Sequence, residues 1–166
     1  MKLGTKGRYA VMAMVDLAGQ LTAQPDLGPV TLSGIAARQE ISLSYLEQLF
    51  SKLRKAGIVK SVRGPGGGYV LARAADKVRI SDIVLAVDEP IRTTRCSPDS
   101  GRGCSPDGSR CLTHELWEEL GNQIYQYLKG VTLEDVCARR IKGSREPLAS
   151  AVSIARAEER RSDLMP

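Results

Sequence analysis

The apolar positions at the start of the chain follow the helical period. Ala10, Met14, Leu17 and Leu21 recur at steps of three and four, with Val11 and Ala18 widening the stripe, which predicts a helix over 5–21. Asp16 interrupts that stripe, so the basic-then-apolar start reads as a core helix rather than an export signal. Residues 23–29 predict a loop, and Thr31 stands where it can cap a short helix carrying Leu32, Ile35 and Ala36 on one side. A break at Glu40–Ile41 precedes a second helix, from Ser42 or Ser44 to Ala56. Its two faces are unlike. Leu46, Leu49, Phe50 and Leu53 share one; Ser44, Glu47, Gln48, Ser51 and Lys55 share the other.

The period then changes. IVKSVR (58–63) and YVLAR (69–73) read as two strands about the turn GPGGG (64–68), a hairpin directly after the second helix. Residues 80–88 predict a short helix with Ser81 as its cap and Pro90 as its stop. A longer helix is expected over 113–129, where Trp117, Leu120, Ile124, Tyr127 and Val131 recur close to a coiled-coil seam. Thr132 caps a last short helix, in which Cys137 is expected to be packed. The polar tail from Gly143 has an amphipathic stretch near 148–157 and no assigned task.

These elements predict a mainly α chain with a small β-hairpin wing: a winged helix-turn-helix domain (1–90), a cysteine-bearing loop (91–112), a dimerisation helix with a terminal helix (113–142) and a tail (143–166). A seam left over after a complete domain is best used against its copy in a second chain, so Trp117, Leu120, Ile124 and Tyr127 are the expected homodimer contacts.

Composition adds little until charge is mapped. With 166 residues, 42% of them hydrophobic, the chain can build a core without disulfides, and no run approaches a membrane span, so a cytoplasmic protein is expected. Residues 1–79 carry 12 Lys/Arg against 5 Asp/Glu, a balance of +7, whereas the remainder balances at −2. The basic front half expects a polyanion. Short polar side chains on the 42–56 helix suit the floor of a DNA major groove, and Lys60 and Arg63 flank a wing tip whose Gly66 and Gly67 let backbone lie close to phosphates. Lys2, Lys6 and Arg8 cluster where a helix dipole disfavours cations, and a phosphate backbone would account for them. The glycine run is no nucleotide-binding loop, since no Gly-Lys-Ser/Thr follows it. No enzyme is expected, because the one histidine leaves no second base for a nucleophile.

The loop holds the remaining chemistry. Cys96, Cys104, Cys111 and His114 are spaced C-x7-C-x6-C-x2-H in a polar, glycine-rich stretch, and three thiolates with one imidazole complete a four-coordinate set. Zinc and an iron–sulfur cluster both accept such donors, and spacing does not choose between them. An imidazole must be neutral to ligate, so binding should weaken as pH falls. A zinc-bound winged-helix repressor shares this grammar; an iron–sulfur carrier or electron-transfer protein shares the ligands but needs neither wing nor groove face.

TKGRYAV, ISLSYLEQLFSKLRKAGIVKSVRGPGGGY and CLTHELW closely resemble the IscR family of bacterial iron–sulfur cluster regulators, over roughly 1–137. The resemblance implies a cytoplasmic, homodimeric winged-helix transcription factor that binds pseudo-palindromic double-stranded DNA. It implies one 2Fe–2S cluster per subunit on Cys96, Cys104, Cys111 and His114, delivered by the iron–sulfur assembly machinery. It also implies repression of cluster-assembly genes by the cluster-bound form, and a second operator class, activated or repressed, for the apo form. Ser44, Glu47 and Gln48 match the positions the family uses on bases, and Arg63 a wing position. Glu47 is the residue implied to separate the operator classes. The family's usual gaps between cysteines are five residues, whereas here they are seven and six.

Overall fold

The structure, a computed structural model, describes residues 4–89, 93, 103, 105 and 107–141. The first helix, α1 (Thr5–Ala23), buries Ala10, Ala13, Met14, Leu17 and Ala18. One 3-10 turn, Pro25–Leu27, lies within the expected loop. Helix α2 (Leu32–Gln39) starts where Thr31 accepts a hydrogen bond from the Gly34 N–H at 3.2 Å, the cap its sequence predicts. Glu40 then takes a left-handed conformation, and buried Ile41 leads into α3 (Leu43–Lys55). Ser42 occupies the N-cap position of α3 without a side-chain cap bond, so Ser44 lies inside the helix and its hydroxyl is left for other work.

Strands β1 (Val59–Val62) and β2 (Gly68–Leu71) pair antiparallel, with Lys60 opposite Val70 and Val62 opposite Gly68. The Gly67 N–H donates to the Gly64 carbonyl at 2.9 Å, closing a turn with Pro65 second and Gly66 third at φ 75°. That is the residue order a type II turn requires. Val30 bridges Tyr69 on the far side of β2, and the Gly68 backbone meets Val30 so closely that a Cβ there would overlap the Val30 carbonyl.

Helix α4 (Ile80–Ala86) is shorter than expected and begins after Arg79, not at a Ser81 cap. The cause is long-range: Arg79 bridges Thr132, the Ile80 N–H donates to Val131 and the Leu133 N–H to Val78. This holds Val78 and Arg79 extended, and Ser81 is buried in the first turn. Helix α5 (His114–Gly130) follows the cysteine-bearing segment, and α6 (Leu133–Cys137) opens with a capping box between Thr132 and Asp135. The Thr132 hydroxyl and N–H hold the Asp135 carboxyl below the usual carboxylate range, so that capping contribution is lost only as pH falls through the lowered value.

One core, with Phe50, Met14, Leu17, Leu46, Leu53 and Leu133 fully buried, joins α1, α2, α3, β1, α4 and α6. Helix α6 therefore packs back on α1, beneath the helix-turn-helix. Helix α5 behaves otherwise: it buries only His114 and Gly121 among the described residues, although its pattern is strongly amphipathic. Cys137, expected to be packed, is instead exposed at the edge of the α1–α6 contact, its thiol donating to the Val15 carbonyl at 3.8 Å. Partial burial pushes that thiol's pKa up, so it is not held as a thiolate.

Candidate nucleic-acid interface and cluster loop

The outer face of α3 follows from its amphipathic spacing. With Leu46, Leu49, Phe50 and Leu53 committed to the core, Ser44, Glu47, Gln48 and Lys55 are exposed and Ser51 is half-buried. None of these five side chains makes a hydrogen bond or ion pair with another described residue. A row of unengaged donors and acceptors along the outer face of the second helix of a helix-turn-helix is the arrangement that reads base edges.

The wing continues this surface. Lys60 and Arg63 are exposed, the first on β1 and the second just past its end, and Gly66 and Gly67 form the tip. Phe50 on α3 meets Tyr69 on β2 edge-to-face, with ring centroids 5.0 Å apart, so the wing is seated on the helix whose face it extends. Lys6 and Arg8 are exposed in the opening turns of α1, where there is no acidic residue and no side-chain cap. Lys2 lies outside the described residues.

Two of the four expected ligands are described. Cys111 is half-buried, and the His114 N–H donates to its carbonyl at 3.0 Å, closing a tight turn that brings both side chains to the head of α5. The Cys111 Sγ lies 3.5 Å from the Thr113 hydroxyl. His114 is 5% exposed, with Nε2 3.7 Å from the Glu118 carboxylate one helical turn on. A soft thiol and a carboxylate-oriented imidazole on one turn suit zinc or an iron–sulfur centre, and the N–H groups heading α5 favour the negative charge such a centre carries. Cys96 and Cys104 lie outside the described residues, and no group of three ligating side chains occurs among the described ones.

A contact that the sequence analysis missed fastens the start of this loop. The Thr93 hydroxyl donates to the Trp117 carbonyl, and Gly121 is buried beneath it; a Cβ on Gly121 would come within 2.7 Å of Thr93 Oγ1. Only a glycine spaced one turn beyond Trp117 hints at this close approach.

The model of the Rrf2 family, described as iron-dependent transcriptional regulators, matches residues 3–139. The chain belongs to the Rrf2 family. Within it, the chain is 52% identical over 136 residues to the HTH-type transcriptional regulator IscR of Pectobacterium carotovorum, covering 82% of this chain and 79% of that one. Among solved structures it is similar to T. potens IscR (TM-score 0.65, 35% identity, 88% of this chain and 94% of that one). It is equally similar to CymR, the global cysteine regulator of B. subtilis (TM-score 0.66, 36% identity, 84% and 98%). The winged-helix architecture is thus that of the Rrf2 regulators, and the chain is a transcriptional regulator of the IscR type. Among the described residues no helix is long and apolar enough to cross a membrane.

Proposed function

We propose that the protein senses iron–sulfur cluster supply and sets transcription accordingly, binding two-fold-related DNA half-sites as a homodimer. The observation that carries this reading is the pairing of an unengaged polar face on α3 with a thiol–imidazole turn at the head of α5. Ser44, Glu47, Gln48 and Ser51 face the bases, while Lys55, Lys60, Arg63, Lys6, Arg8 and the Gly66–Gly67 tip meet phosphates. Cys96, Cys104, Cys111 and His114 would hold a 2Fe–2S cluster supplied by the assembly machinery. That group would supply redox- and iron-dependent charge at the head of α5. The chain's own residues position two donors there and exclude water from His114.

Dimerisation through α5 is supported by what the helix leaves uncovered. Trp117 is 42% and Tyr127 50% exposed, and Leu116, which the seam pattern missed, is 62% exposed. Leu120 and Ile124 are half-buried beside them. A contiguous apolar stripe of this kind on a helix that adds little to its own core fits a second copy. A cluster can shift DNA affinity only by favouring one conformation of this dimer.

The deciding experiment is an absorbance spectrum of anaerobically purified protein, with iron, sulfide and zinc quantified on the same sample. A red-brown protein with matched iron and sulfide is expected. A colourless protein with stoichiometric zinc would leave the DNA interface standing and remove cluster sensing.

Two substitutions test the interface. Arg63→Ala should weaken binding similarly at every DNA sequence and flatten the salt dependence by about one unit of log–log slope, as one lost phosphate contact does. If only one operator class suffered, Arg63 would be a base reader. Glu47 carries a negative charge toward DNA and is repelled wherever no cytosine amino group donates a hydrogen bond to it. Glu47→Ala should therefore let cluster-free protein bind operators that otherwise require the cluster; unchanged selectivity in a binding assay would sink that role.

A further inference from the structure

The basic surface contains a carboxylate where a DNA reader should have none. Asp88 follows α4 in a left-handed conformation (φ 54°), and its Oδ2 lies 2.7 Å from Lys52 Nζ on α3. It is otherwise in the open, its side chain 75% exposed. Lys6 on α1 and Lys55 on α3 also act on this carboxylate, which together with Lys52 they hold below the usual range. Its neighbour Glu89 lays its own carboxylate against Gly4, the N-cap of α1. The end of α4 thus brings two anions to a spot where three lysines and an otherwise uncapped helix N-terminus converge.

The position on α3 matters. Lys55 lies on the Ser44–Gln48–Ser51 face, and Lys52 stands about 60° round the helix from it, at about 100° per residue. Lys52 therefore flanks the groove face, where a phosphate strand runs when a helix lies in the major groove.

We infer that Lys52, Lys55 and Lys6 form a binding site for a DNA backbone phosphate, and that Asp88 is its built-in competitor, pairing with Lys52 in the free protein and yielding it on DNA. The inference rests on the DNA-reading role proposed above. An exposed ion pair contributes little to folding, so Lys52 can exchange one anion for another at small cost. A phosphate must displace Asp88, and this lowers affinity for DNA of any sequence. Because the cost is the same for every sequence, it leaves the ratio of operator to non-specific affinity unchanged and lowers both together.

The test compares the full-length wild type, Asp88→Asn and Lys52→Gln on two duplexes across a salt series. One duplex is an operator selected from a random-sequence pool by the protein itself; the other is its scrambled counterpart. Asparagine is nearly isosteric with aspartate and tolerates positive φ, so the first variant should fold, and circular dichroism checks it. Asp88→Asn is expected to tighten both duplexes several-fold and steepen the log–log salt slope by about one. Lys52→Gln is expected to weaken both and flatten the slope by about one. Unchanged or weaker binding by a folded Asp88→Asn, or unchanged binding by Lys52→Gln, overturns the inference. If Asp88→Asn does not fold, Lys52→Gln decides alone. If wild type and variants bind alike, the DNA-reading role survives and only the phosphate site falls; if the wild type enriches no sequence from the pool and binds no duplex, both fall.

Discussion

Phe50→Ala is expected to cost about 3–5 kcal/mol of folding stability, a large part of what a domain of this size has. The ring is fully buried and lies on the inner face of α3 with Leu46, Leu49 and Leu53. Removing it leaves a cavity that neighbouring helices can close only in part. The same ring holds Tyr69 edge-to-face, so the loss reaches the wing as well as the core. Chemical denaturation should therefore show a midpoint shift at this scale, with the slope of the transition preserved. DNA binding at low temperature should weaken more than Arg63→Ala alone weakens it, because α3 and the wing lose their common anchor. A destabilisation below about 1 kcal/mol would mean that α3 packs differently from the description above.

The contrast between Phe50 and its neighbours explains why α3 and its exposed polar face are legible in the sequence. On α3 each third or fourth residue is apolar and the intervening ones are polar, and a helix so patterned has one way to sit on a core. The hairpin was legible for a similar reason: Pro65 and Gly66 have φ requirements that few turns meet, and the strands beside them change to period two. The membership of the family adds identity to that pattern without altering it.

What escaped the sequence depends on partners far along the chain. Asp16 interrupts the apolar stripe of α1, and nothing local says why; in the fold its side chain is 4% exposed and receives Arg38 and Gln39 from α2. Ser81 has the right chemistry for a cap, yet the bridge from Arg79 to Thr132 sets the start of α4 instead. Helix α6, at five residues, is too short to display a period, so its place on α1, with Leu133 in the core, follows only from the folded chain. The ion pair of Lys52 with Asp88 belongs to the same class. For the cysteine-bearing loop, the spacing makes four donors an expectation; the one link made locally, the Cys111–His114 turn, is described, whereas Cys96 and Cys104 lie outside the described residues.

That turn carries the other large effect. Cys111→Ala and His114→Ala should each abolish the visible absorbance of the anaerobically purified protein and remove its iron and sulfide together. On the proposed ligand set each removes one of four donors, and the alanine methyl supplies no replacement. Both variants should still fold, since Cys111 is only half-buried and the core described above includes neither residue. They should also still bind DNA of the class that needs no cluster, with the wild-type salt slope, because α3 and the wing are untouched. Binding to cluster-dependent operators should be lost. His114→Cys is the informative partner variant: a thiolate can replace the imidazole, so iron and sulfide should return at least in part, with an altered spectrum. Retention of full iron and sulfide by Cys111→Ala or His114→Ala would remove these residues from the ligand set. Loss of zinc instead of iron from the same variants would identify the centre as a zinc site, and the regulator as one whose DNA affinity is set by something other than cluster supply.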